Sequence, residues 1–488
     1  MGLRLSSPAG RWALTATVLG TGVAFLDSTV VNVALPAIGE DLAAPLAGLQ
    51  WIITGYTLSL AGLILLGGAL GDRYGRRKVF LIGVVWFAIA SLLCAIAPNI
   101  GFLVAARILQ GIGGALLTPG SLALIQASFE PSDRARAVGA WSGLAGVASA
   151  AGPFLGGWLI DGPGWRWVFL INLPLAAVVV AITLRHVPES RNDEATGRFD
   201  VAGAVLAASA LAGITYALIA APDSPTWALV TATAGAALAA GFVAVERRRA
   251  NPMLPLSVFA SRQFSAVNVV TLVVYAALGG IFFFLTLQLQ IVSGFSPIAA
   301  GAALLPVTLL MLVLSSRAGA VAQRIGPRWP MVAGTAMAAA GVLLLSRVGA
   351  GASYLIDVLP GAILFGLGIT AVVAPLTATV LASAETRLAG VASGVNNAVA
   401  RTAQLLAVAG LPLAVGLSGG DYRDPAVFTG GFRTAMLVCA GLLLAGSALT
   451  YATVSDRVLA ETPARPVVRP HRVIHCAVDG TPVESHHG

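Results

Sequence analysis

Apolar residues gather along this chain into fourteen stretches of roughly 20 residues, the length a helix needs to cross a bilayer core, with short polar segments between them. They fall at about 12–36, 50–70, 79–97, 102–127, 136–161, 166–184, 200–221, 227–246, 264–291, 298–317, 330–347, 355–381, 388–417 and 432–455. The stretches lack the two-residue alternation of barrel strands. In lipid each segment must also satisfy its own backbone hydrogen bonds, so helices are expected. The pattern predicts an all-α integral membrane protein. Charged breaks at 185–198 and 246–262 divide the spans into six, two and six.

Charge then orients the chain. With a cytoplasmic amino terminus, only Arg166, Arg347, Arg423 and Arg433 of the 29 Lys and Arg lie outside, while Arg107 and Arg401 fall within spans. The positive-inside rule therefore puts both termini in the cytoplasm, with the protein in the cell membrane. The net charge of +8 belongs to loops beside lipid headgroups and calls for no nucleic acid. With 57% hydrophobic and 10% charged residues, there is too little polar surface to coat a soluble globule. The divisions expected are a cytoplasmic segment 1–11, a six-helix bundle 12–185, a linker with two extra spans 186–263, a second bundle 264–455, and a disordered tail 456–488 rich in Pro, Arg and His. Cys94 and Cys439 sit inside spans, which gives no disulfide framework. The irregular His and Cys of the tail make no metal site.

Deep charges carry the candidate chemistry. Asp27 is the one acid well inside a span, roughly 13 Å below the outer surface if Pro36 marks that end. A carboxylate there is costly unless it faces water, a partner or the bundle interior, so it is a functional candidate, as a proton carrier or a cation contact. Arg107 enters the fourth span at similar depth, with Gln110 three residues on. A guanidinium does not release its proton, but one that approaches Asp27 in one conformation only would alternately favour and disfavour the ionised acid. Arg401 lies about 20 Å into the thirteenth span, near Asn396, Asn397 and Gln404.

The run Gly68-Ala-Leu-Gly-Asp-Arg-Tyr-Gly-Arg-Arg-Lys78 joins the second and third spans, and Gly319, Gln323, Arg324, Gly326 and Arg328 repeat it at one constant offset, with Gln in place of the acid. It resembles the signature loop of the major facilitator superfamily, whose transporters are built from two related halves. Leu26-Asp-Ser-Thr-Val-Val-Asn-Val-Ala-Leu-Pro36, followed by Gln50-Trp51 and Tyr56, resembles the first-span motif of the fourteen-span drug:proton antiporters in that superfamily. Gly152-Pro153-Phe-Leu-Gly156-Gly157 is similar to its exporter motif. The resemblance implies a major facilitator fold of two six-helix bundles plus two additional central helices. Asp27 and Arg107 would couple protons. Asn32, Trp51, Tyr56, Gln110, Gln288, Gln290, Asn396, Asn397 and Arg401 would line a substrate cavity. Gly68, Asp72, Arg73, Gly75, Arg76, Arg77, Asp133, Arg134, Gly152, Pro153, Gly156 and Gly157 would gate it, Asp72 tying the halves together near Gly390 and Arg134 or Arg136. The implied function is proton-driven export of amphipathic organic compounds by a monomer, with no cofactor. No ATP-binding Gly-x-x-x-x-Gly-Lys motif is present, since Lys78 is the only Lys. An exporter of one endogenous metabolite would use the same scaffold. A membrane sensor would need a signalling domain, and an enzyme would need partners for its single deep acid.

Overall fold

The computed structural model describes residues 3–191, 200–249, 254–384 and 389–460. The long helices in chain order are α1 (Pro8–Asp41), α2 (Leu46–Tyr74), α3 (Arg76–Ala95), α4 (Ile100–Ser128), α5 (Pro131–Asp161), α6 (Trp167–His186), α7 (Val201–Ala220), α8 (Pro225–Arg248), α9 (Arg262–Val292), α10 (Pro297–Ile325), α11 (Arg328–Leu345), α12 (Tyr354–Ala382), α13 (Ala389–Ala414) and α14 (Pro425–Thr453). Their starts follow from local chemistry. Ser7, Asn99, Ser261 and Asp424 each accept a hydrogen bond from an N–H of the first turn, which a helix cannot satisfy internally.

Twelve of these helices are long and apolar enough to cross a membrane among the described residues. The other two, α5 and α13, have 31 and 26 residues and occupy the expected fifth and thirteenth positions, but are not among those twelve. The chain forms a multi-pass, all-helical bundle. Leu3 and Asp456 lie at one end, called here the terminal end; the α1–α2 and α13–α14 loops mark the distal end.

The uncharged interiors of the two extra spans predict helices that face lipid beside the core rather than cavity walls. That holds for α8, which packs on α7 and buries only 11% of its most apolar window. α7 lies against α2 and α13 and buries a third of its most apolar window, with Val201 and Val205 exposed. The Trp51 ring, half-buried, packs against Tyr216 of α7, centroids 6.3 Å apart. At the terminal end of this pair Asp200 and Glu246 are buried. Asp200 caps α7 through the Gly203 N–H at 2.7 Å and pairs with Arg249, while Glu246 accepts the Leu254 N–H at 2.8 Å and so ties the hairpin to the segment entering α9. The expected tail lies outside the described residues beyond Ala460.

Candidate functional site

Five of the first six helices converge on Asp27. Its carboxylate is fully buried and accepts from Arg107 Nη1 at 2.5 Å, Gln110 Nε2 at 2.9 Å and Asn172 Nδ2 at 3.0 Å. Ser91 Oγ of α3 accepts from both amides, at 2.7 Å from Gln110 and 3.2 Å from Asn172. Arg107 is equally buried, donates to the Ile52 carbonyl of α2 at 3.1 Å, and lies over the Tyr56 ring at 4.3 Å. All three donors address the charged form of the acid, so this conformation holds an ion pair of no net charge, sealed from solvent. Breaking such a pair by removing one partner costs about 3–5 kcal/mol. The structure thus brings Asp27, Arg107, Gln110 and Tyr56 together. Gln110 and Tyr56, expected in a substrate cavity, belong to this cluster instead. Ser91 and Asn172 were missed. A lone Ser or Asn in an apolar span is a weak signal.

A second set of contacts joins the halves at the distal end. Pro412 lacks an N–H, which leaves the Val408 carbonyl without its helical partner. Gln50 of α2, 4% exposed, supplies the missing donor, at 2.9 Å from Val408 and 3.0 Å from the Ala409 carbonyl. Close by, Leu46 N donates to the Gly419 carbonyl at 2.7 Å, Tyr422 Oη to Ala44 at 2.8 Å, and Arg423 to Ala44 at 3.0 Å. Gln290 donates to the Val33 carbonyl of α1 at 3.0 Å, which makes it an inter-half tie and not a cavity group. Gln288 is buried within the second half against the Val348 carbonyl, again away from any cavity. The Gly-Pro motif of α5 lies on this seam. Gly152 and Gly156 face Thr29 and Val30 of α1, and a Cβ on Gly157 would lie 2.4 Å from Ile298 Cα of α10. These glycines are small because two helices approach on two sides.

At the terminal end the signature loop differs from expectation. Asp72 pairs with Arg76 of its own loop at 2.7 Å, not with Arg134 or Arg136. Arg134 donates to the Phe129 carbonyl, and Asp133 accepts from Leu5 N at 2.8 Å and lies 3.8 Å from Arg136. Gly68 packs toward Pro119 of α4, and Arg73 lies 5.7 Å over the Tyr74 ring. The acid that organises the loop is Glu189, just after α6: it accepts the N–H groups of Arg77 and Lys78 at 3.0 and 3.1 Å, while Arg77 reaches the Leu184 carbonyl. The second half repeats this. Asp456, just after α14, accepts the Arg328 N–H at 3.1 Å. Gly75 and Gly326 both have positive φ, +109° and +88°, and a Cβ at either would strike that capping carboxylate. The helix start is held in both copies although Gln323 replaces the loop acid in the second.

Between the halves, α13 and α1 present polar and aromatic side chains that remain partly accessible. Arg401 lies over the Phe25 ring at 5.7 Å. Asn397 is exposed, and Asn32 is half-exposed with its amide on the Ser28 carbonyl. Asn396 faces away, bonding Asn268 and Thr271 of α9 at 3.2 and 2.8 Å. It ties two helices of one half together and does not line the gap.

Two bundles with repeated loop geometry, a buried acid–arginine pair in the first half and a seam between the halves define a secondary-transporter scaffold. The Major Facilitator Superfamily profile matches residues 17–408, and the chain belongs to that superfamily; it is a transporter and not an enzyme. It is 38% identical over 412 residues to the tetracenomycin C resistance and export protein of Streptomyces glaucescens, covering 84% of this chain and 76% of that one. It is 35% identical over 482 residues to the puromycin resistance protein of Streptomyces alboniger, covering 94% and 96%. A solved bacterial homologue of the human lysosomal transporter Spinster, inward-facing and unoccupied, shares the fold with a TM-score of 0.64 at 17% identity, covering 93% of this chain and 98% of that one.

Proposed function

We propose that this chain is a fourteen-span, monomeric, proton-coupled antiporter that exports amphipathic organic compounds, such as drugs or antibiotics, across the cytoplasmic membrane by alternating access. Relatives named for antibiotic resistance and export support the direction and the substrate type. Both termini would be cytoplasmic, which makes the distal end external and this conformation closed to the outside. The buried Asp27–Arg107 pair carries the reading. Here Asp27 is paired with Arg107. A proton arriving from outside would replace Arg107 as the neutralising charge, and return to this conformation would expel it. The imposed gradient is then the energy source, with no bound cofactor.

The test is efflux of a fluorescent organic substrate from proteoliposomes under an imposed proton gradient. Asp27→Asn is expected to abolish gradient-driven transport, and Asp27→Glu, which keeps a titrating group, to retain part of it. Undiminished gradient-driven transport by the Asn variant would refute proton coupling through Asp27.

A further inference from the structure

We infer that the site between the halves takes an organic anion, an aromatic body bearing a carboxylate, held by Arg401; this rests on the export reading above. Asp27 is the one acid among the described residues set far from a helix end, and Arg107 neutralises it completely. Arg401, the other deep cation, has no ion pair or hydrogen bond among the described residues. It is only partly buried, on a face of α13 shared at helical spacing with Asn397 and Gln404. Facing it on α1 is Phe25, and Ser28 and Asn32 follow on that same face, all partly accessible.

The gap therefore carries one net positive charge, aromatic rings beside it and neutral amides around it. An uncompensated guanidinium at this depth is unfavourable in the empty protein. A carboxylate relieves that cost, and the planar guanidinium fork matches its two oxygens. An aromatic body attached to the carboxylate can stack on Phe25. A lipophilic cation would meet the opposite: no free carboxylate among the described residues of the gap and a repelling arginine.

Three compounds on one ring system test this: anthracene-9-carboxylate, its neutral carboxamide, and 9-anthracenylmethyl-trimethylammonium. Binding to the purified full-length protein is read by tryptophan-to-anthracene energy transfer, and transport of the two charged compounds in proteoliposomes under a proton gradient. Wild type is expected to bind and move the carboxylate and to favour it over the cation. Arg401→Gln should weaken carboxylate binding about ten- to hundredfold, the worth of a charged hydrogen-bonded contact, and carboxamide binding far less. Arg401→Lys, which keeps the charge but not the fork, should fall between. Preference for the cation would overturn the anion site, as would an equal loss of all three compounds in Arg401→Gln, which would make Arg401 structural or part of coupling. Arg401-dependent carboxylate binding without gradient-driven transport would leave the anion site standing and refute the export reading.

Discussion

Gln50→Ala isolates the distal seam. In the closed conformation the Val408 carbonyl has Gln50 as its donor because Pro412 cannot serve. Removing the amide strands one buried carbonyl, at a cost of about 1–3 kcal/mol. That cost falls on the closed state alone, since separating α2 from α13 lets water reach the group. The balance should therefore shift roughly five- to 150-fold toward a distal-open state. Spin labels at Glu40 and Val427, both exposed and on opposite halves of the distal end, report this as a longer-distance population in double electron–electron resonance. Pro412→Ala returns an N–H four residues after Val408 and gives the carbonyl a helical partner. In that background Gln50→Ala should lose most of its effect. An unshifted distance distribution in Gln50→Ala would refute the assignment of Gln50 as a closing contact. A shift of equal size with and without Pro412→Ala would refute the reason given for it.

Gly157→Val drives a branched side chain into the Ile298 backbone and should keep the distal end open in the same distance measurement; a closed distribution would show that the α5–α10 seam does not control closure. Glu189→Ala removes the acceptor for two N–H groups at the start of α3, and Asp456→Ala the acceptor for one at α11. Loss of such a cap costs about 0.5–2 kcal/mol. Thermal unfolding in detergent should show the larger drop for Glu189→Ala, and equal drops would contradict the two-against-one geometry.

Much of this was legible in the residues, for physical reasons that also mark where reading stopped. Apolar runs of membrane length and the repeated loop are local patterns, so the helices and the two related halves could be read directly. Asp27 and Arg107 stood out because charge is rare in lipid. Their partners did not: Ser91 and Asn172 are unremarkable in sequence, and only the packing of α3 and α6 brings them to the carboxylate. Asp72 misled because the family resemblance gives the loop acid the inter-half role, whereas the capping acids Glu189 and Asp456 sit in ordinary polar segments after each half's last helix. The family resemblance, together with their polarity, put Gln288, Gln290 and Asn396 among the cavity groups. An amide in a membrane helix also serves a stray backbone carbonyl or a neighbouring helix, and only contacts distinguish these uses.

The two candidate sites are joined by a single helix. Asp27 lies on one face of α1, toward α3, α4 and α6, and Phe25, Ser28 and Asn32 share the opposite face by the 3.6-residue period, where Phe25 meets Arg401 of α13. While Asp27 holds three donors on other helices of its half, α1 cannot rotate or slide without breaking charged hydrogen bonds that are sealed from water. In the proposed cycle, protonation of Asp27 would remove the charge those bonds serve and free the helix. A ligand held by Arg401 would contact the other face of the same helix, at Phe25. Proton and substrate would then bias one rigid element, a physical route for exchange with no direct competition between them for Asp27. The same cycle would account for the close packing of Gly152 and Gly156 of α5 on Thr29 and Val30: the helix that carries both proposed sites would have to move closely against α5.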